Sequence, residues 1–228
     1  MAFDDALGMV LHAEPGMSVV DWAARASADS RLLAGSQRLQ QLRIARAILR
    51  VHGDRLADAS FLSDLHQGND VARRDLVYAR YLAAMPVAVA VGRTVLLPRR
   101  RDARVAIARA ELDNAVATAL AGCSAATIRR SATSVRVEFG RAGVTRSNRD
   151  GSIELEEKRP AAIALYHLFL DDLAERREAS DAWLARESIA AAIFALSPET
   201  VRESIEELVA LGRLTRSYYS GEPRVLAA

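Results

Sequence analysis

From Ser124 to Gly151 the chain reads SAATIRRSATSVRVEFGRAGVTRSNRDG, and the fold depends on how this stretch is parsed. Ser124 is a helix-capping residue type. A helix over 125–142 puts Ile128, Ala132, Val135 and Phe139 on one face, which must be the buried one. The opposite face gathers Thr127, Arg130, Thr133, Ser134 and Arg141, with Arg129 and Arg136 on a flank and Val137 as its apolar exception. Gly143 sits where a left-handed residue closes a helix. Beyond it, Val144–Ser147 and Ser152–Glu156 flank Asn148-Arg149-Asp150-Gly151, and Asp-Gly between short strands is a hairpin signal. Upstream, a helix through Leu112, Val116 and Leu120 ends near Gly122. Helix, turn, helix, hairpin is the winged-helix order.

The same grammar returns downstream. Pro160 opens a helix over 161–174, residues 171–181 read as a charged connector, and a second helix is expected over 182–195. Ser197-Pro198-Glu199 is a strong helix start: a capping hydroxyl, proline in the first turn and an acid near the helix N-terminus. Val201, Ile205 and Leu208 form a buried stripe, Gly212 closes the helix, and 213–226 reads as a second hairpin.

In the first half, Ser18 caps a short helix through Ala26, and a long helical pattern starts at Arg31 and ends at Gly53. A helical piece over 56–65 stops at Gly68, and Asn69 caps the next helix. Pro86 marks a boundary. Residues 87–97 alternate like a strand, although their neighbours favour helix, which is the reading preferred. Pro98 and Arg99–Arg101 read as an exposed connector. The expectation is an all-α protein with small β-hairpin wings: an N-terminal helical domain (1–98), a basic winged-helix-like domain (99–159) and an acidic one (160–228).

Composition narrows the function. Half of the 228 residues are hydrophobic, enough for a real core. The single cysteine, Cys123, excludes an internal disulfide, fits a reducing cytoplasm and is expected to be a small packed residue. The start of the chain lacks a basic, then apolar, leader pattern, and the most apolar run (82–97) is too short to span a bilayer and contains Arg93, so no membrane role is expected. His12, His52, His66 and His167 lie far apart, without metal-ligand spacing, and are read as surface or half-buried residues. No phosphate-binding loop or nucleophile elbow occurs, so neither a catalytic site nor a metal or other cofactor is expected.

The net charge of +2 hides a segregation. Residues 1–92 are balanced, residues 93–149 carry twelve arginines against four acids, and residues 150–228 carry nine basic and fifteen acidic residues. A basic centre of this kind suits a polyanion. The candidate DNA contacts are Arg99, Arg100, Arg101 and Arg104 before the second helix of the first unit, Ser124, Thr127, Arg129, Arg130, Thr133, Arg136 and Arg141 on it, and Arg146 and Arg149 on the hairpin. Arginine, serine and threonine serve phosphates at least as readily as base edges, and this face has no Asn or Gln, so weak sequence preference is expected. The matching helix of the second unit carries Glu199, Glu203, Glu206 and Glu207, which would repel phosphates and suit a protein contact.

The stretch from Ser124-Ala-Ala-Thr-Ile-Arg-Arg to Gly143-Val, with the hairpin and Pro160 after it, is similar to the C-terminal winged helix of the BrxA family, small helical proteins of bacterial BREX phage-defence systems. Residues 68–98, with Leu76-Val-Tyr-Ala-Arg-Tyr at their centre, resemble that family's middle helices. Together they cover about half the chain. The resemblance implies a non-enzymatic accessory subunit that binds double-stranded DNA, and carries a DNA role to Thr127, Arg129, Arg130 and Arg136. Other subunits of a defence complex would be partners, and a homodimer is possible. Two alternatives stand beside it: a structural subunit whose tandem winged helices bind a partner protein, as in SMC-type complexes, and a sequence-specific transcription regulator.

Overall fold

A computed structural model describes residues 3–28, 46–149, 151–219 and 222–228. The chain forms two compact units, 1–84 and 85–228. The division falls ahead of the expected boundary at 98, so residues 85–98 belong with the second half, and the segments 99–159 and 160–228 share one unit. No single helix among the described residues is long and apolar enough to cross a membrane.

In the first unit, α1 (Phe3–Leu11) and α2 (Val19–Ala28) lead to a two-residue hairpin, β1 (Val51–His52) and β2 (Arg55–Leu56), then α3 (Ala59–Gln67) and α4 (Asp70–Ala83). The expected caps are in place: Ser18 Oγ accepts the Asp21 N–H at 3.0 Å, and Asn69 Oδ1 the Ala72 N–H at 2.9 Å. Residues 46–49 are helical, but most of the helix expected from Arg31 lies outside the described residues. Trp22 is fully buried and donates to the Met9 carbonyl at 2.8 Å. Arg80 is buried too; it pairs with Asp58 at 2.5 Å and lies 4.1 Å over the Phe61 ring.

The second unit opens with a helical run: α5 (Pro86–Val91), a π-helical turn (Gly92–Leu96) and α6 (Leu97–Arg101). The helical reading of 87–97 therefore holds, and the valine alternation is that of a helix packed on two sides. The exposed connector expected at 98–101 is instead the end of this run, with Arg99 and Arg100 half-buried. Then come β3 (Ala106–Ile107), α7 (Arg109–Ala119), α8 (Ala125–Arg141), β4 (Thr145–Ser147) and β5 (Ile153–Leu155). The three strands form an antiparallel sheet in the order β3-β5-β4, with Ile107 opposite Ile153 and Thr145 opposite Leu155.

The pattern repeats in α9 (Ala162–Arg176), β6 (Ala179–Ser180), α10 (Asp181–Glu187), α11 (Ile189–Phe194), α12 (Pro198–Ala210), β7 (Leu214–Tyr219) and β8 (Glu222–Ala227), with antiparallel strand order β6-β8-β7. In each repeat a short strand ahead of the helices joins the last strand of the hairpin. Both expected hairpins are present, and Gly143 and Gly212 take the left-handed conformation that ends α8 and α12. The molecule is thus mainly helical, with small antiparallel sheets.

Three expectations in this half need correction. The helix expected over 182–195 is two helices, because Ser188 takes an extended conformation and its Oγ caps α11 through the Ala191 N–H at 3.0 Å. The connector expected over 171–181 is the end of α9 plus β6, and its Asp172 is buried. His167, expected at or near the surface, is buried on the inner face of α9.

Candidate nucleic-acid interface

The sequence directs attention to α8. Ser124 Oγ accepts the Thr127 N–H at 3.2 Å, and the two hydroxyls lie 3.0 Å apart, so Ser124 and Thr127 fix the helix start together. Ala132, Val135 and Phe139 are buried as expected, while Ile128 is only half-buried. Every residue from Ala121 to Thr127 is exposed, Cys123 included, which corrects its expected packing. The α7–α8 turn and the first turn of α8 therefore stand open to a ligand. Buried anchorage begins one turn later, at Ala132.

The structure sorts the candidate arginines by what already occupies them. Arg99 grips Glu111 with two hydrogen bonds, at 3.0 and 2.5 Å. Arg100 donates to the carbonyls of Ala195, at 3.0 Å, and Glu156. Arg101 donates to the Arg186 carbonyl at 2.7 Å. Arg136, largely buried, joins α8 to α7 through Asp113 and also reaches Thr133 Oγ1. Arg141 pairs with Glu138 at 3.2 Å. Arg146 lies between Glu154, at 2.7 Å, and Glu156, at 3.0 Å. A guanidinium held by a carboxylate brings little net charge to a phosphate, and one held by backbone carbonyls is fixed in place, so these six contribute to architecture first.

Arg129 and Arg130 differ. Both are exposed on the first two turns of α8, and neither has an ion-pair partner among the described residues. The same is true of Arg104, ahead of β3, and of Arg149, in the β4–β5 turn. Thr133, though exposed, donates to the Arg129 carbonyl at 3.1 Å. The exposed cations at the open end of α8 thus reduce to Arg129 and Arg130, with the Ser124 and Thr127 hydroxyls beside them. Sequence alone does not reveal this division, because the groups that occupy the other arginines come largely from different elements.

Of the four acids among residues 93–149, one has a burial that the sequence did not foretell. Glu138 is buried beside Phe139; loss of solvent pushes its carboxyl above the usual range, and Arg141 opposes that shift. In the second repeat, Glu199, Glu203, Glu206 and Glu207 are all exposed on α12, and Glu203 pairs with Arg159 at 3.1 Å. Among the described residues there is no group of three or more His, Cys, Asp or Glu side chains that could hold a metal ion.

No protein-family model matches the chain, and no curated protein does. Among solved structures, it is similar to a magnesium ion-bound SspB crystal structure, with 12% identity over 100% of this chain and 80% of that one and a TM-score of 0.65. A second SspB crystal structure matches with 12% identity, 100% and 81% coverage and a TM-score of 0.63. At that identity the likeness is one of fold, and what the chain shares with SspB is its architecture.

Proposed function

We propose that this chain is a non-enzymatic protein that binds double-stranded DNA, and that its second unit is a pair of winged helices of which the first makes the contact. The supporting observation is the open start of α8, where Arg129 and Arg130 are exposed and carry no ion pair among the described residues. An α-helix fits the major groove, and arginine with serine and threonine can reach phosphates and base edges there. Arg149 on the hairpin and Arg104 supply further positive charge from the same repeat.

Binding of this kind is driven mainly by counterion release, so it is strong at low salt and falls steeply as salt rises. Two free arginines without Asn or Gln give little base discrimination, and the protein holds duplex with weak sequence preference. Following the BrxA resemblance, its setting is a phage-defence complex whose other subunits meet the acidic α12. Selection from a random duplex library tests the specificity claim. No enriched motif, together with measurable salt-sensitive binding, supports it; a sharp palindromic motif overturns it in favour of a dimeric regulator.

A further inference from the structure

A cavity of about 440 Å³ opens in the second repeat between α10, the start of α12 and Pro223 of β8. Ala182, Ala185, Pro198 and Pro223 form its apolar wall, and Arg186 and Arg202 its basic one. Neither arginine has an ion-pair partner among the described residues. Asp181 also lines the cavity, but Arg216 engages its carboxylate at 2.9 Å. Arg202 also lies within the field of the Asp181 carboxylate, and Arg186 Nε donates to the Ala182 carbonyl at 3.2 Å, which orients its guanidinium. The site therefore sets two guanidiniums, neither in an ion pair among the described residues, beside an apolar wall, a combination usual in pockets for small anionic ligands.

We propose that this cavity binds a small phosphomonoester of nucleotide size. Two guanidiniums match the two negative charges of a phosphomonoester, and planar guanidinium groups hold phosphate oxygens in pairs. The volume exceeds what a lone phosphate needs, and the paired prolines offer flat apolar surfaces to a ring. A duplex is disfavoured here, because Glu199, Glu203, Glu206 and Glu207 cover the exposed side of the helix that carries Arg202. A recessed small anion avoids most of that repulsion. This inference does not depend on DNA binding by the first repeat.

The test is calorimetric titration of the full chain with 2′-deoxyadenosine 5′-monophosphate, with deoxyadenosine and inorganic phosphate as separate arms. The mononucleotide should bind one to one, and each fragment alone at least tenfold more weakly. Arg186→Ala with Arg202→Ala should weaken mononucleotide binding at least tenfold, while Arg129→Ala with Arg130→Ala should leave it unchanged. Hydrogen exchange on the unaltered protein should show nucleotide-dependent protection at 181–186 and 199–202, a readout that needs no variant. Absence of heat at millimolar nucleotide overturns the proposal. So does undiminished binding by the Arg186/Arg202 variant, protection elsewhere, or loss of binding in the Arg129/Arg130 variant, which would place the nucleotide on α8.

Discussion

Arg100 Nε donates to the carbonyl oxygen of Ala195 at 3.0 Å, and the same guanidinium reaches the carbonyl of Glu156. One side chain thus ties the end of the first hairpin to the end of α11. Ala195 adopts a left-handed conformation at φ 48°, which turns the chain between α11 and α12. A cation placed between two carbonyls of different elements is a structural fastener, although it lies in the most basic run of the sequence. Arg100→Met should destabilise the unit by about 2–4 kcal/mol, the cost of leaving polar groups without their charged donor. Urea denaturation checks this, and the salt dependence of DNA binding should keep its wild-type slope.

Gly92 offers a second check on how the repeats interlock. A Cβ on Gly92 would overlap the carbonyl oxygen of Ala192, whereas one on Gly140 would meet only the Thr145 carbonyl at an ordinary 3.7 Å. Gly92→Ala should therefore cost about 1–3 kcal/mol through overpacking. Gly140→Ala, inside α8, should stabilise the protein by about 0.5–1 kcal/mol. Opposite shifts in melting temperature for the two variants are the expected result.

Asp172 should make stability depend on pH. Burial raises its carboxyl from the usual value to about 7, against the Ile189 N–H that it accepts at 3.2 Å and a more distant pull from Arg93; Asp171 and Glu175 push it up further. A folded-state value above the unfolded one means that the associated stability is present in acid and is lost as pH rises, here from near 4 to about 7. The loss is on the order of 2–4 kcal/mol at most. Asp172→Asn keeps an acceptor for Ile189 and removes the ionisation, so it should flatten the stability profile across that window and raise stability at pH 8. Denaturant midpoints measured from pH 4 to pH 8 decide it.

Glu154 and Glu156 hold Arg146 at 2.7 and 3.0 Å on the first hairpin. Glu154→Gln with Glu156→Gln should free that guanidinium and remove two repelling charges. Duplex affinity should rise, and the log–log salt slope should steepen by about one. Fluorescence anisotropy with a labelled duplex across a salt series reads both. Unchanged affinity would mean that the hairpin stays away from the backbone.

Much of the architecture was legible because it rests on local chemistry. Ser124, Ser197 and Asn69 announce helix starts; Gly143 and Gly212 announce helix ends; Asp150-Gly151 announces a hairpin. Strands β3 and β6 were not legible, since two residues carry no period and their pairing with β5 and β8 is decided by tertiary contact. Ser188 looked like a helix interior residue, yet its hydroxyl is used to begin a new helix. The site was legible only in outline. A run such as Arg99–Arg101 reads as a basic patch until Glu111 and the carbonyls of Ala195 and Arg186 are brought to it by folding.

The central claim is that α8 meets DNA through Arg129 and Arg130, and a salt titration of duplex binding tests it most directly. Arg129→Ala with Arg130→Ala should leave the melting temperature near that of the wild type, because both side chains are exposed and bear no ion pair among the described residues. Affinity at low salt should drop by at least tenfold, and the log–log slope should flatten by about two, roughly one for each phosphate that is no longer neutralised. A double variant that binds duplex with wild-type affinity and slope across the series would contradict the account.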